Sequence, residues 1–411
     1  MISNQKIVYF VENIVTRIES KDELATKCSL VLFETPTDKI ELLAKKNFKN
    51  ELFLFETTTE KVKNIPIGSY ISIEGNDFVS ENKNIIAKRN ISINNFYRGK
   101  LLKKNKEKYS NYNVDENCEI YSYHLNVGHG NCSIIIIVNN NEVKLWMIDC
   151  SDYDMISKKS YCTNIDSCFD YIKNKFNIKE LHIDKLFLTH PHIDHYSGIE
   201  RIIDEKIITS KTEFYMNLHY SMPSINYNRL LKRIDNLKPI IIEPVSSVRE
   251  NSIEIWHPHV TTIRSYTPKY KGITYDIVKK PNNASAVFHF NLGKKSILFP
   301  GDIETEKWDS VNCCPSYLKG TDYYIISHHG SLNGHLRNIC PIGRDISNLS
   351  NCVKRDSVQI LMGRNGSYSG IYNSQVINDF NNIVYSELNS FSQECKFLEI
   401  DWQTNNFFWD R

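Results

Sequence analysis

The sequence predicts two domains, a small all-β domain followed by a larger domain in which strands and helices are mixed. The chain has 411 residues, which exceeds the roughly 100–200 residues usual for a single domain. Short runs rich in β-branched and aromatic residues, separated by polar turns, occupy residues 1–97 and are typical of strands. Farther along, strand-like segments alternate with apolar residues at helical spacing, such as Cys168, Ile172 and Phe176. We therefore expect an all-β domain over 1–97, a linker over 98–118 and a larger domain over 119–411.

The N-terminal region contains six strand-like runs, at residues 7–15, 28–33, 40–44, 52–55, 70–74 and 85–93. Residues 65–75 resemble the G-x-x-V-x-V-x-G strand of OB-folds, which implies a small OB-like barrel. Many OB-folds bind single-stranded nucleic acid by stacking bases on aromatic side chains beside a basic groove. The corresponding candidates are Phe48, Phe53, Phe55 and Tyr70, with Lys45, Lys46 and Lys49 nearby. The alternative is that these aromatic side chains form the core of the barrel.

The predicted linker begins with a basic segment. Residues 98–108 contain six Lys or Arg residues and one acid. A solvated linker is one interpretation of this pattern. The other is a strip that contacts a phosphate backbone, for which Lys100, Lys103 and Lys104 are the candidates.

The strongest chemical signal is the segment Thr189-His190-Pro191-His192-Ile193-Asp194-His195, directly after the apolar run 186–188. It places three imidazoles and a carboxylate within six residues, on a loop at the end of a predicted strand. His190 and His192 can converge on one ion, while Asp194 and His195 can point at a second ion nearby. Imidazole and carboxylate ligands without thiolate suit zinc, manganese or iron.

This HxHxDH pattern resembles the metallo-β-lactamase superfamily at every ligand position. Further segments occur in the order found in the branch related to the hydrolase domain of the DNA-uptake protein ComEC. They are residues 125–138, 146–151 with Asp149 at the place of a structural acid, 256–258, 282–285, 297–304 and 325–331. The resemblance covers about residues 120–390. It implies an αββα sandwich that holds two divalent ions, zinc or manganese.

Two more segments supply predicted ligands. Asp302 lies in the turn after the apolar run 297–299, a position from which a carboxylate can bridge two ions. His328 and His329 follow another short strand and precede Gly330, where the backbone can approach a ligand closely. One of these histidines should bind the second ion, and the other can lie near the substrate or also bind metal.

The chain departs from the superfamily at two places. Many members carry another histidine before the bridging acid, where this chain has Asn282-Asn283-Ala284-Ser285. His219, His257 and His259 are substitutes in the same interval, with a structural role as the alternative. A second family segment usually ends in Gly-His-Pro, but here Gly363-Arg364-Asn365-Gly366 is followed by a tyrosine-rich stretch without histidine.

These observations predict a binuclear metal-dependent hydrolase, most simply a phosphodiesterase that cleaves DNA or RNA. We assign catalytic roles to Asp194, Asp302 and His329. Candidate substrate contacts are Asn283, Ser285, Ser331 and Arg364. One alternative is a phosphodiesterase of small or cyclic nucleotides, and another is a nucleic-acid-binding subunit whose metal site is weak or controlled by a protein partner.

Composition indicates the compartment. Eleven cysteines, an odd number, are scattered without a CxxC pair, a pattern that favours reduced thiols and a cytoplasmic protein. The N-terminus lacks the basic start and apolar core of a signal peptide, so we expect no membrane association. A net charge of +2 argues against a polyanion-binding surface spread over the whole protein but permits a local one.

Overall fold

The computed structural model describes most of the chain. The described residues are 7–16, 27–35, 52–65, 67–75, 77–81, 85–104, 113–140, 142–218, 222–237, 239–243, 252–258, 281–304, 308, 321–335, 356–365, 370–388 and 390–411. The predicted strand over 40–44 and the candidate residues Lys45, Lys46, Phe48 and Lys49 lie outside these ranges. So do His219 and His259.

The N-terminal region is a five-stranded antiparallel sheet with the strand order β3-β2-β1-β4-β5. Its strands are β1 (Val8–Thr16), β2 (Lys27–Thr35), β3 (Leu52–Thr58), β4 (Tyr70–Glu74) and β5 (Asp77–Ser80). A short helix, α1 (Thr59–Val62), follows β3. The end strands β3 and β5 do not pair within the described residues. Five strands are therefore present, but the region also contains helix, and the described strands form an open sheet and no closed OB-like barrel.

The prediction of a strand over residues 85–93 is wrong, because helix α2 (Ile85–Lys104) occupies this stretch. The helix also takes in the first seven residues of the predicted linker. Asn90, Asn94 and Arg98 follow one another at four-residue spacing and are buried, so they share one helix face. Asn94 donates to Asn228 at 2.8 Å, and the Arg98 guanidinium donates to the Leu218 carbonyl at 2.8 Å. These tertiary contacts override the strand propensity of the isoleucines.

The rest of the chain forms two larger sheets. One has eight strands in the order β13-β12-β11-β8-β7-β6-β20-β21, and the other has six in the order β14-β15-β16-β17-β18-β19. The eight strands are β6 (Glu119–Leu125), β7 (Cys132–Asn139), β8 (Glu142–Cys150), β11 (Lys185–Leu188), β12 (Glu213–Met216), β13 (Ile240–Ile241), β20 (Phe397–Asp401) and β21 (Asn406–Asp410). The six are β14 (Ile253–His257), β15 (Val287–Leu292), β16 (Lys295–Phe299), β17 (Tyr323–Ile325), β18 (Val358–Leu361) and β19 (Ile383–Tyr385). A separate hairpin joins β9 (Tyr153–Asp154) to β10 (Lys159–Ser160).

Helices lie on the outer faces of the two sheets. The remaining ones are α3 (Cys162–Lys175), α4 (Ile193–Tyr196), α5 (Ile199–Asp204), α6 (Ile225–Ile234) and α7 (Ser374–Asp379). Along β7, Ile134 and Ile136 pack in the core shared with α3 and α6, whereas Ile135 and Ile137 pack between the sheets. This alternation follows from the two-residue period of a strand. Val376 of α7 packs with the outer face of the six-stranded sheet, so the layers are helix, sheet, sheet and helix, as the αββα prediction requires.

The topology gathers the predicted site residues at one edge. β8 and β11 are parallel, as are β16 and β17, so within each pair the carboxyl ends lie at the same edge. The histidine-rich segment follows β11, Asp302 follows β16, and the histidine pair follows β17. Among the described residues, no helix is both long and apolar enough to cross a lipid bilayer.

Candidate metal centre

The histidine-rich segment forms a tight turn into a one-turn helix. His192 occupies the N-cap of α4 in an extended conformation, and Asp194 and His195 lie in the helix itself. His190, His192 and His195 are at most 2% exposed. The side chain of Asp194 keeps 18% of its surface exposed. The turn therefore presents four polar groups to one small, largely buried space.

Two groups of side chains converge in this space. Asp194, His195, Asp302 and His329 form one group, and His190, His192 and Asp302 form the other. Within each group the candidate ligand atoms lie within 4.8 Å of one another. Asp302 belongs to both groups, which places it between two candidate ion positions, where a bridging carboxylate would lie.

The donor atoms fit divalent ions. Nε2 of His195 lies 3.3 Å from Oδ1 of Asp302, and Nε2 of His329 lies 3.5 Å from Oδ2 of Asp194. Nε2 of His192, His195 and His329 and Oδ1 of Asp302 are buried and have no hydrogen-bond partner among the described residues. A buried polar atom without a partner is costly. Several converging on one space are the arrangement that a metal ion would satisfy, and their chemistry suits zinc or manganese.

Charge is unevenly distributed across the centre. Burial would raise the pKa of Asp302, but the neighbouring His195 and His329 hold this pKa well below its usual value. Burial alone would lower the pKa of His195, but the carboxylates of Asp302 and Asp149 raise it well above its usual value. Burial lowers the pKa of His192 to about 4. Asp302 is therefore ionised near neutral pH, and His192 is a neutral imidazole with a lone pair to donate.

Asp149 fixes the orientation of His195. Its Oδ2 accepts a hydrogen bond from Nδ1 of His195 at 2.8 Å, which leaves Nε2 directed at the centre. The Thr189 hydroxyl and backbone amide both donate to Asp149 at 2.8 Å. Such carboxylate–histidine pairs orient metal ligands in many metalloproteins. The predicted structural acid thus has a defined supporting contact.

The histidine pair is held in a strained turn. His328 and His329 have φ values of 52° and 51°, in the left-handed region that side-chain-bearing residues rarely adopt. Gly363 lies against this turn, and a Cβ atom there would come within 2.9 Å of Nδ1 of His329. His329 belongs to a donor group, whereas Nε2 of His328 lies 3.9 Å from Asp302 and 3.3 Å from Nδ2 of Asn282. The two histidines therefore occupy different positions in the centre.

The predicted substrate contacts divide into two kinds. Asn283 and Ser285 are completely buried. Asn283 hydrogen bonds with Glu304 through both its oxygen and its nitrogen, and the Ser285 hydroxyl accepts from the Asp302 amide at 3.2 Å. These two residues support the turn that carries Asp302, and their contact with a substrate stays a prediction.

The other two substrate candidates are neighbours in sequence of residues at the histidine turn. Ser331 directly follows the histidine turn and is 9% exposed. Arg364 follows Gly363, keeps 46% of its side-chain surface exposed and lies 3.9 Å from Asp154. A half-exposed guanidinium at this position is suited to an anionic substrate.

Three of the nucleic-acid candidates in the N-terminal half have described side chains, and each makes a contact within the protein. Tyr70 is completely buried and donates a hydrogen bond to the Pro223 carbonyl at 2.8 Å, so it cannot stack on a base. Phe55 packs edge-on against Phe78. Lys100 forms a 2.5 Å ion pair with Asp235. The side chains of Phe53, Lys103 and Lys104 lie outside the described part of the structure.

The possible substitute ligand His257 lies within the described residues. It is buried, and its Nδ1 donates to the Ser285 carbonyl at 2.7 Å. It belongs to neither donor group among the described residues. A structural role, the alternative already stated, is the one that this contact supports.

Sequence reasoning missed two buried residues beside the centre. Nε2 of His129 lies 3.4 Å from Asp194, and its ring lies 4.3 Å from that of His329. Glu12, from the N-terminal sheet, accepts a hydrogen bond from the Ile193 amide. His129 lies within the glycine-flanked motif at 125–131 that the resemblance singled out, so its position carried a signal. Nothing in the local sequence distinguishes Glu12.

Comparisons with known proteins address the family and the fold. Residues 160–213 match the sequence model of the family described as the metallo-beta-lactamase superfamily. This stretch contains the whole histidine-rich segment. None of the curated proteins compared matches the sequence.

Solved structures with related folds share little sequence with this chain. The metallo-beta-lactamase fold protein YhfI from Bacillus subtilis has 10% identity and a TM-score of 0.34, over 65% of this chain and 95% of that protein. A diphosphatase from the PhnP family has 12% identity and a TM-score of 0.35, over 69% and 98%. CmlA, a diiron beta-hydroxylase from Streptomyces venezuelae, has 13% identity and a TM-score of 0.33, over 66% and 53%. These likenesses are too weak to carry an argument about activity or substrate. The family match shows that residues 160–213, which include the histidine-rich segment, are similar to the metallo-beta-lactamase superfamily.

Proposed function

We propose that this protein is a binuclear metal-dependent phosphodiesterase that cleaves nucleic acid, in the ComEC-like branch of the superfamily. The observation that carries the hydrolase assignment is that Asp302 belongs to both donor groups of the centre. A shared carboxylate between two sets of imidazole and carboxylate side chains is the arrangement used by two-metal hydrolases. The ordered motifs over residues 125–331 support the narrower assignment.

The ions would be held by Asp194, His195, Asp302 and His329 at one position and by His190, His192 and Asp302 at the other. Zinc or manganese bound there would act as a Lewis acid, lowering the pKa of water and neutralising charge on phosphoryl oxygens. Asp194 is ionised, because His195 and His129 oppose the effect of burial and hold its pKa well below the usual value. It is therefore able to accept a proton from an attacking water.

Substrate binding would involve the residues around the donor groups. Arg364 offers an exposed positive charge for an anionic group. His328 belongs to neither donor group but lies near Asp302, where its imidazole can contact a phosphoryl oxygen. Neither contact reads a base, which agrees with hydrolysis of a phosphodiester backbone of varied sequence.

A second candidate function is hydrolysis of small or cyclic nucleotides. The observation that favours it is the burial of Tyr70, which removes one of the aromatic side chains expected to stack on a nucleic-acid base. On this view the substrate is defined by Arg364 and the histidine turn alone.

A third candidate, a nucleic-acid-binding subunit with a weak or partner-controlled metal site, is favoured by the unequal donor groups. One group offers four side chains and the other three. An ion held by the smaller group would dissociate more readily, and a protein partner could supply a further ligand.

The test uses purified protein loaded with zinc, manganese or magnesium in turn. Labelled single- and double-stranded DNA and RNA, and a panel of cyclic nucleotides, serve as substrates, with Asp302→Asn as the inactive control. We expect metal-dependent cleavage of nucleic acid that is abolished in the variant. Cleavage of cyclic nucleotides alone would favour the second candidate, and fewer than one tightly bound ion per chain without cleavage would favour the third. Full activity of Asp302→Asn would refute the assignment of the centre.

A further inference from the structure

Glu12 is an acid of the N-terminal sheet that is buried against the metal centre. It lies in β1 at the point where the pairing with β2 shifts register, between Val11 and Asn13. A register shift of this kind can redirect a side chain from the regular alternation of a strand. Glu12 is 2% exposed, although glutamate is seldom buried without a specific partner.

Its partner is the backbone of the ligand turn. Oε1 of Glu12 accepts a hydrogen bond of 3.1 Å from the amide of Ile193, which is 181 residues away in sequence. Ile193 stands between His192, in the three-donor group, and Asp194, in the four-donor group. Oε2 of Glu12 has no hydrogen-bond partner among the described residues. The Ile193 amide is therefore the contact that compensates for burying this side chain.

The sheet that carries Glu12 is firmly attached to the larger part of the molecule. Tyr70 of β4 bonds to the Pro223 carbonyl, and helix α2 bonds through Asn94 and Arg98 to residues 218–228. Val8 and Phe10 of β1 belong to the same hydrophobic core as strands β7 and β11. The position of Glu12 is thus fixed by the packing of its own sheet as well as by its hydrogen bond to the turn.

We propose that Glu12 is a positioning residue for the metal centre, through which the N-terminal sheet fixes the turn between His192 and Asp194. This inference rests on the proposed function only in requiring that the centre binds ions. It assigns the N-terminal sheet a structural part in the centre, distinct from any binding of nucleic acid. Residues that hold metal ligands in place typically affect metal affinity by 10–100-fold.

The chemistry of Glu12 provides a matched pair of variants. Burial raises the pKa of Glu12 to about 8, against the opposing effect of the Ile193 amide. The neutral acid is similar in shape to glutamine, so Glu12→Gln keeps an oxygen that accepts from Ile193. Glu12→Ala removes that oxygen. Tyr70→Phe is a control that removes a different bond between the sheet and the larger domain, at Pro223.

The experiment measures zinc affinity of the full-length metal-free protein by competition with a chromophoric chelator, alongside urea unfolding and far-UV circular dichroism. We expect Glu12→Ala to bind zinc about 10-fold more weakly or worse, Glu12→Gln to bind like the wild type, and Tyr70→Phe to lose stability without losing zinc affinity. The circular dichroism spectra establish that each variant is folded.

Three outcomes would overturn the inference. Wild-type zinc affinity in Glu12→Ala would show that the turn does not depend on this contact. Equal weakening in Glu12→Ala and Tyr70→Phe would attribute the effect to the whole sheet and not to Glu12. Absence of zinc binding by the wild type would overturn the proposed function as well, and this result is distinct from the other two.

Discussion

Histidine is buried together with carboxylate in several places, and two of these clusters differ in how their polar atoms are satisfied. In the first, Glu254 accepts hydrogen bonds from His289, Trp256 and Asn291, each at 2.9 Å. His289 also stacks against the Trp256 ring, with centroids 4.3 Å apart. The carboxylate of this cluster has donors for both of its oxygens, and the cluster needs no ion.

The second cluster is the candidate metal centre. Its histidines direct Nε2 atoms at one another and at Asp302, yet those of His192, His195 and His329 have no hydrogen-bond partner among the described residues. Burial and residue type are therefore not what distinguishes a metal site from a structural network. The distinguishing feature is a set of converging, buried polar atoms that have no hydrogen-bond partner in the part of the chain that the structure describes.

The largest expected effect separates the clusters by stability. Replacing Glu254 with alanine removes the acceptor of the buried His289 and Trp256 donors, which should lower the free energy of unfolding by about 3 kcal/mol. Zinc content should not change. The matched variant Asp302→Asn should lose zinc but keep the stability of the metal-free protein. Urea unfolding and metal analysis of both variants check this, and zinc loss in Glu254→Ala would break the distinction.

A smaller effect is expected at Asp149, which hydrogen bonds to the candidate ligand His195. Asp149→Asn weakens the bond that orients His195, so zinc affinity should fall roughly 10–100-fold. Loss of the Asp149 charge also removes one of the carboxylates that raise the pKa of His195. Competition with a chelator measures the affinity. An unchanged affinity would mean that Thr189 and the turn alone hold His195 in place.

The smallest expected effect concerns a satisfied histidine. His124 hydrogen bonds to Ser133 and Ser122, and burial lowers its pKa to about 3. In the unfolded chain the pKa of His124 is 6.5. At a pH between the two pKa values, the unfolded chain binds a proton at His124 that the folded chain does not. Stability therefore falls as the pH falls through this range. One such group changes the slope of the unfolding free energy against pH by at most about 1.4 kcal/mol per pH unit. Between pH 7 and 6, the resulting loss of stability is less than about 1 kcal/mol.

The measurement is the pH dependence of urea unfolding with excess chelator, for the wild type and for His124→Gln. We expect the wild type to lose more stability than the variant on acidification, because the variant lacks the titrating group. Parallel curves for the two proteins would show that His124 takes up its proton at the same pH in the folded state as in the unfolded state.

The sequence was sufficient to predict the parts of the centre that are local in the chain. The segment 189–195 and the turns at Asp302 and His328–His329 each follow an apolar strand, so strand ends and ligand types could be recognised together. The layered arrangement of sheets and helices followed from the resemblance. The ligand positions themselves remain a prediction that the geometry supports.

Contacts between distant segments could not be predicted in the same way. The isoleucines of 85–93 favour a strand, while the helix is selected by buried contacts such as those of Asn94 and Arg98, whose partners lie 134 and 120 residues away. The four-residue spacing of Asn90, Asn94 and Arg98 is typical of a helix face, but the strand propensity of the isoleucines outweighed it in the prediction. Glu12 is unmarked because its role depends on a register shift in β1 and on a turn 181 residues away.

The two left-handed residues at the histidine turn have a consequence for evolution of this protein. Replacing His328 with glycine would relieve an unfavourable backbone conformation but would remove an imidazole from the centre. Selection for heat resistance would thus favour glycine at position 328, whereas selection for turnover would favour histidine there. A descendant that had lost the activity should therefore carry glycine at position 328, while its hydrophobic core remained unchanged.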